Sequence, residues 1–236
     1  MDVAAHAPGT VCWIDLGVLE PGAAVAFYGK LFGWTFTDPG ADGYRIALLN
    51  GRTTAGLGQA EDPPPPYWTL NVSVRDIDAH ARAFAAAGAR IVVPPAPVGD
   101  LGHAAVTLDC GGAPISLWQP GSHTGMQVAG EPGSFVEADL LTRHPAEAAD
   151  FYHRVLDWDL REKPGGTPGI GLTRTDPPGP TRQASLWLVN FATRDVEATL
   201  VNAVRLGAAR VPSGSHSGAV LRDPTGALFG LIAAPE

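Results

Sequence analysis

The sequence predicts an α+β fold built by tandem duplication, and three recurrences carry that expectation. "FYGKLFGWTF" at Phe27 to Phe36 returns as "FYHRVLDWDL" at Phe151 to Leu160, 124 positions later. The same offset aligns Pro21 with Pro145, Asp15-Leu16 with Asp139-Leu140, and Trp34 with Trp158. Further on, "WTLNVSVRDID" from Trp68 matches "WLVNFATRDVE" from Trp187, and "LDCGGAPISL" from Leu108 matches "RDPTGALFGL" from Arg222. The offset shrinks along the chain, as short deletions in loops of the second copy would make it do. Residues 10–119 are therefore expected to form one domain and residues 135–236 a second, joined by a linker at 120–134 and preceded by a disordered tail at 1–9.

Each copy divides again into two units that begin with a strand and a helix. "VCWIDLG" reads as a strand. The following "PGAAVAFYGKLFG" reads as a helix, with Pro21 at its first position, where a missing N–H costs nothing, and Gly33 as its stop. Ala24, Phe27, Tyr28 and Leu31 fall on one helical face, and Ala148, Phe151, Tyr152 and Val155 repeat it. Phe-Tyr thus reads as a packing element that fixes a helix to the back of a sheet. Asp76 and Asp195 suit the N-caps of two further helices ending at Gly88 and Gly207. The proline clusters at Pro63–Pro66 and Asp176–Pro180 stop helix and strand alike and read as connectors between units.

Composition bounds the partners. The 236 residues are 45% hydrophobic and 17% charged, with a formal net charge of −8 and no basic stripe, so nucleic acid is a poor partner. No apolar run reaches the ~18 residues of a membrane span and no leader pattern opens the chain, so a cytoplasmic location is expected. Cys12 and Cys110 stand far apart, which indicates two buried thiols rather than a disulfide framework or a zinc site. A small molecule is the expected partner, and a homodimer is left open.

The four strand-helix units, "AFYGKLFGW" and "DFYHRVLDW" after Asp-Leu strands, and a D-x-x-G turn ahead of each last strand resemble the vicinal oxygen chelate superfamily. That superfamily includes glyoxalases, bleomycin-resistance proteins and extradiol dioxygenases, and the likeness is closest to two-domain actinobacterial glyoxalase-like proteins. The resemblance implies four βαβββ units forming two cupped mixed β-sheets with helices outside. Strand alternation then assigns faces. Cys12, Ile14 and Leu16 go to the helix side, and Trp13 and Asp15 into the first cup, with Thr69, Asn71, Ser73, Ser116 and Trp118. The second cup takes Glu137, Asp139, Leu188, Asn190, Leu228, Gly230 and Ile232 and is the more apolar.

Metal-using relatives carry His, Gln or Glu ligands at positions that correspond here to Trp13, Thr69 and Ser116, and to Glu137, Leu188 and Gly230. Only Glu137 could bind a metal, and one carboxylate does not hold a catalytic divalent ion. No metal and no other cofactor are therefore expected. Of the seven histidines, His6, His80, His123, His144 and His153 read as solvated surface residues, whereas His103 and His216 sit in Gly-rich loops that can close over a cup.

Three functions follow. The first is metal-free binding of a small aromatic metabolite, in secondary metabolism or resistance, with Trp13 and Trp118 as flat walls and Thr69, Asn71, Ser73 and Ser116 fixing orientation. The second is a metal-free acid–base enzyme (lyase, isomerase or hydroxylase-like) acting through His103, Asp15, or the Glu137 and Asp139 pair. The third, a metal-dependent lyase or dioxygenase, requires a different strand register in both copies. The letters "GLG" at Gly56 to Gly58 fit no nucleotide loop and read as turns or strand ends.

Overall fold

The computed structural model describes residues 6–60, 66–160, 185–212 and 218–235, and the backbone of 170–174. The first copy runs β1 (Val11–Val18), α1 (Pro21–Phe32), β2 (Thr35–Phe36), β3 (Arg45–Leu49) and β4 (Arg52–Gln59). Its second unit is β5 (Trp68–Ser73), α2 (Ile77–Ala86), β6 (Arg90–Val98), β7 (Gly102–Leu108) and β8 (Pro114–Pro120). The second copy gives β9 (Phe135–Thr142), α3 (Pro145–Leu156), β10 (Ile170–Arg174), β11 (Ser185–Thr193), α4 (Val196–Arg205), β12 (Ala209–Val211), β13 (Ala219–Arg222) and β14 (Leu228–Ala233).

These elements make two mixed sheets, an α+β arrangement. One has eight strands in the order β2-β3-β4-β1-β5-β8-β7-β6, and the other, among the described residues, six in the order β10-β9-β11-β14-β13-β12. The two units of each copy join through an antiparallel pair of first strands, β1 with β5 and β9 with β11, and each first strand also pairs in parallel with a later strand of its unit. Repetition of that pattern is the structural record of the duplication.

Local chemistry sets the helix ends. Pro21 and Pro145 occupy the first turns of α1 and α3, and Gly33 closes α1 at φ 74°. Its counterpart Asp157 takes φ 55°, a left-handed conformation that Asp tolerates better than most side chains. The Asp76 carboxylate accepts from Ala79 N at 2.9 Å and Asp195 from Ala198 N at 2.9 Å, so both act as N-caps.

The helices lie outside the cups, on the convex sheet faces, and those faces meet. Phe84 of α2 stands 5.5 Å from Phe151 of α3, α1 packs on α4, and Trp68 of β5 lies 5.3 Å from Phe191 of β11. One hydrophobic core consequently spans both copies.

The aromatic repeat does more than fix each helix to its own sheet. Tyr28 Oη donates to Asp223 Oδ2 in the other copy, and Tyr152 Oη donates to Asp109 Oδ2 in the first, both at 2.8 Å. Trp34 Nε1 donates to Gly133 O, while Trp158 Nε1 donates to Gly9 O. Each copy's tyrosine therefore latches onto the opposite copy, and its tryptophan onto the segment that leads into that copy.

Residues 6–9 are tied down where a disordered tail was expected: Gly9 N donates to Ser73 O and His6 Nε2 lies 2.9 Å from Met126 O. Cys12 is buried as expected, and burial pushes its thiol up to about 12, but Cys110 is exposed in the turn after β7. Most of the proline connectors, Pro63–Pro65 and Asp176–Pro180, lie outside the described residues. No helix among the described residues is long and apolar enough to cross a membrane.

Candidate functional site

The concave face of the first sheet is assembled by strand register. Trp13 stands beside Asn71, Asp15 beside Thr69, Asn71 beside Ser116, and Ser73 beside Trp118. All seven residues thus line one cup. They are largely covered: Trp13 is 4% exposed, Trp118 8%, and Asn71, Ser73 and Ser116 are also buried.

A polar network crosses the floor. Asp15 Oδ1 accepts from Trp13 Nε1 at 3.0 Å and from the Tyr44 hydroxyl, Asp15 Oδ2 accepts from Asn71 Nδ2 at 2.7 Å, and Trp13 Nε1 also donates to Tyr44 Oη at 2.8 Å. Burial raises the Asp15 pKa above the ordinary carboxylate value, opposed by the Tyr44, Asn71 and Trp13 hydrogen bonds and by the field of His123. Burial and the neighbouring Asp15 charge likewise push the Tyr44 phenol well up. Gly56 on β4 makes room for this cluster, because a Cβ there would overlap the Tyr44 hydroxyl and Asp15 Oδ1. "GLG" therefore runs along the second half of β4 toward its end at Gln59, with Gly56 passing under two polar side chains, and is not a turn.

His123 is a correction to the sequence reading. The linker folds back across the cup: His123 N donates to Leu101 O, Met126 N to Cys12 O, and Gln127 N to Thr53 O. The imidazole meets Trp13 edge-on with ring centroids 4.6 Å apart, and it lies 5.8 Å from the ring of Trp118, whose Nε1 donates to His123 O at 3.0 Å. Burial lowers its pKa, Asp15 raises it, and His6 lowers it further.

His103 goes the other way. It opposes Gln119 in the β7–β8 ladder, alternate to the cup-facing Ala104–Trp118 pair, and the Gln119 side chain caps Ile77 N of α2. That is the convex face, so His103 is exposed and away from the network. His216 lies outside the described residues.

The second cup repeats one element of the first. Asp139 Oδ2 accepts from Asn190 Nδ2 at 2.8 Å, the counterpart of the Asp15–Asn71 bond. Beside it, Leu141, Leu186, Leu188, Val220 and Leu228 form a separate apolar cluster with Tyr67 packed against it. Glu137 and Asp139, read from sequence as charges at a rim, are buried, 6% and 7% exposed.

The donor set does not fit a chelated divalent ion. Trp13, Thr69 and Ser116 offer an indole and two hydroxyls, and Asp15 already accepts three hydrogen bonds. Among the described residues no three His, Cys, Asp or Glu side chains form a group that could hold a metal.

The family model described as "Glyoxalase-like domain" matches residues 12–117 and again 136–232. This chain belongs to the glyoxalase-like family. The glyoxalase-like chain is 32% identical to CFP32 of Mycobacterium tuberculosis (strain CDC 1551 / Oshkosh), which bears a provisional glyoxylase name, over 95% of its own length and 94% of the relative's. It is also 32% identical to the anthracycline biosynthesis protein DnrV of Streptomyces peucetius, covering 96% and 94%. In structure it resembles the Mn(II)-bound glyoxalase from Novosphingobium aromaticivorans, at TM-score 0.67 and 15% identity over 97% of this chain and 83% of that one. That likeness speaks to fold.

Proposed function

We propose that the protein binds a flat aromatic metabolite in the first cup without a metal ion. The observation that carries this reading is the pairing of two indole walls, Trp13 and Trp118, with a hydrogen-bonded floor of Asp15, Tyr44 and Asn71. Indoles supply large apolar contact surface, and a few fixed polar groups orient what lies against them. The name of the relative DnrV, an anthracycline biosynthesis protein, supports a polycyclic aromatic ligand. Thr69, Ser73 and Ser116 extend the polar side of the same cup.

A second reading, a metal-free acid–base enzyme, is favoured by one feature: the Tyr44 hydroxyl and the Asp15 carboxylate are in direct contact beneath an imidazole. Tyr44 and Asp15 would then exchange a proton with the bound ring system, and His123 would replace His103 as the nearest base.

Chelator-treated protein titrated with 1,4-dihydroxyanthraquinone tests the first reading, and mass spectrometry of the recovered compound separates the two. A binder returns it unchanged. Failure of the chelator-treated protein to bind while metal-loaded protein does would overturn the proposal.

A further inference from the structure

Two features of the first cup are left over from this reading, which the inference rests on and deepens. The imidazole of His123 meets the rings of both tryptophans edge-on, and among the described residues it makes no hydrogen bond. The second feature is Thr54. It is 0% exposed, and its hydroxyl is without a partner, the one such buried side-chain atom among the described residues. An unpaired buried hydroxyl lowers stability, so its retention calls for a reason.

Register locates Thr54. Asp15 pairs with Gly56 in the parallel β1–β4 ladder, and Thr54, two residues earlier on β4, is the extra residue of an irregularity in the β3–β4 ladder, between Thr53 opposite Leu48 and Ala55 opposite Ala47. Gly56, two residues on, faces Asp15 and the Tyr44 hydroxyl across the cup floor. The adjacent Thr53 Oγ1 donates to Gly125 O of the same linker that carries His123.

We propose that the slot between Trp13 and Trp118 is the ligand position, held in the free protein by the His123 imidazole, and that the Thr54 hydroxyl is the hydrogen-bonding point for a ring oxygen of the ligand. The chemical class is a flat aromatic bearing a phenolic or keto oxygen. The free protein is then self-occupied, and its apparent affinity is reduced by the fraction of time the slot is filled.

Naphthalene and 2-naphthol, which differ by one hydroxyl, test both parts by equilibrium dialysis. His123→Ala, with His123→Gln beside it, binds both probes about tenfold more tightly than the unaltered protein. Without any probe it raises acrylamide quenching of tryptophan emission, and that increment disappears in a Trp13→Phe background. Thr54→Val binds naphthalene unchanged, loses about tenfold in 2-naphthol affinity, and melts about 2 °C higher or more because the orphan hydroxyl is gone.

Unchanged quenching in His123→Ala overturns the self-occupied slot whatever the probes do. A lower melting temperature in Thr54→Val overturns the Thr54 assignment. Probe affinities that neither variant alters place aromatic binding elsewhere and sink this inference alone. Failure of either probe to bind the unaltered protein or His123→Ala sinks the aromatic-binding reading itself.

Discussion

Tyr28 of α1 donates a hydrogen bond to Asp223, 195 residues away, and Tyr152 of α3 returns the same bond to Asp109 in the first copy. Trp68 Nε1 donates to Tyr28 Oη and Trp187 Nε1 to Tyr152 Oη, so each phenol relays an indole of its own copy to a carboxylate of the other. Because all of these groups are buried, each link is expensive to break on one side only.

Tyr28→Phe and Tyr152→Phe remove one hydroxyl and leave packing intact. Each is expected to cost about 1.5 to 3 kcal/mol in urea unfolding, the range for a hydrogen bond to a charged group. Losses near zero would make the latches incidental to the contact between the copies.

Gly56 is expected not to tolerate a single added methyl. Gly56→Ala overlaps Tyr44 and Asp15, so the phenol must leave the network and the Trp13 indole loses a partner. The expected cost is about 1 to 3 kcal/mol by overpacking, with loss of 1,4-dihydroxyanthraquinone binding. A fully stable variant that binds normally would remove Tyr44 from the site.

Acid should open the cup. The folded-state pKa of His123 is lowered from 6.5, chiefly by burial, so its seat contributes stability above that value and loses it as the pH falls through the folded pKa. The charged and titratable groups acting on it are Asp15, whose charge opposes the shift, and His6, which adds to it. Acrylamide quenching of tryptophan emission is expected to rise as the pH is lowered from 7 to 5 and to stay flat in His123→Ala. An identical rise in the variant would assign the effect to another group.

Much of this architecture could be read directly. Alternation put Trp13, Asp15, Asn71, Ser116 and Trp118 on one face because one side of each strand had to meet a helix. The capping aspartates followed from local hydrogen bonding, and the Asp–Asn pair of each cup sits at matched offsets in the two copies. What stayed hidden depends on contacts distant in sequence. Tyr44 lies between β2 and β3 with no periodic pattern around it, and only folding brings it to Asp15. His123 sits in a linker whose composition reads as a spacer, and its path back over the cup is set by backbone bonds to Leu101, Cys12 and Thr53. The aspartates of the D-x-x-G turns read as turn formers; their second role, accepting from a tyrosine of the other copy, needed the two convex faces to meet.

The most direct measurement is a fluorescence titration of chelator-treated protein with 1,4-dihydroxyanthraquinone, repeated after adding Mn²⁺, Fe²⁺, Ni²⁺ or Zn²⁺, with bound metal counted in each sample. Saturable quenching of tryptophan emission is expected, the same with and without metal, with no stoichiometric ion retained. Binding that appears only with a tightly held ion would contradict it and return the first cup to metal chemistry.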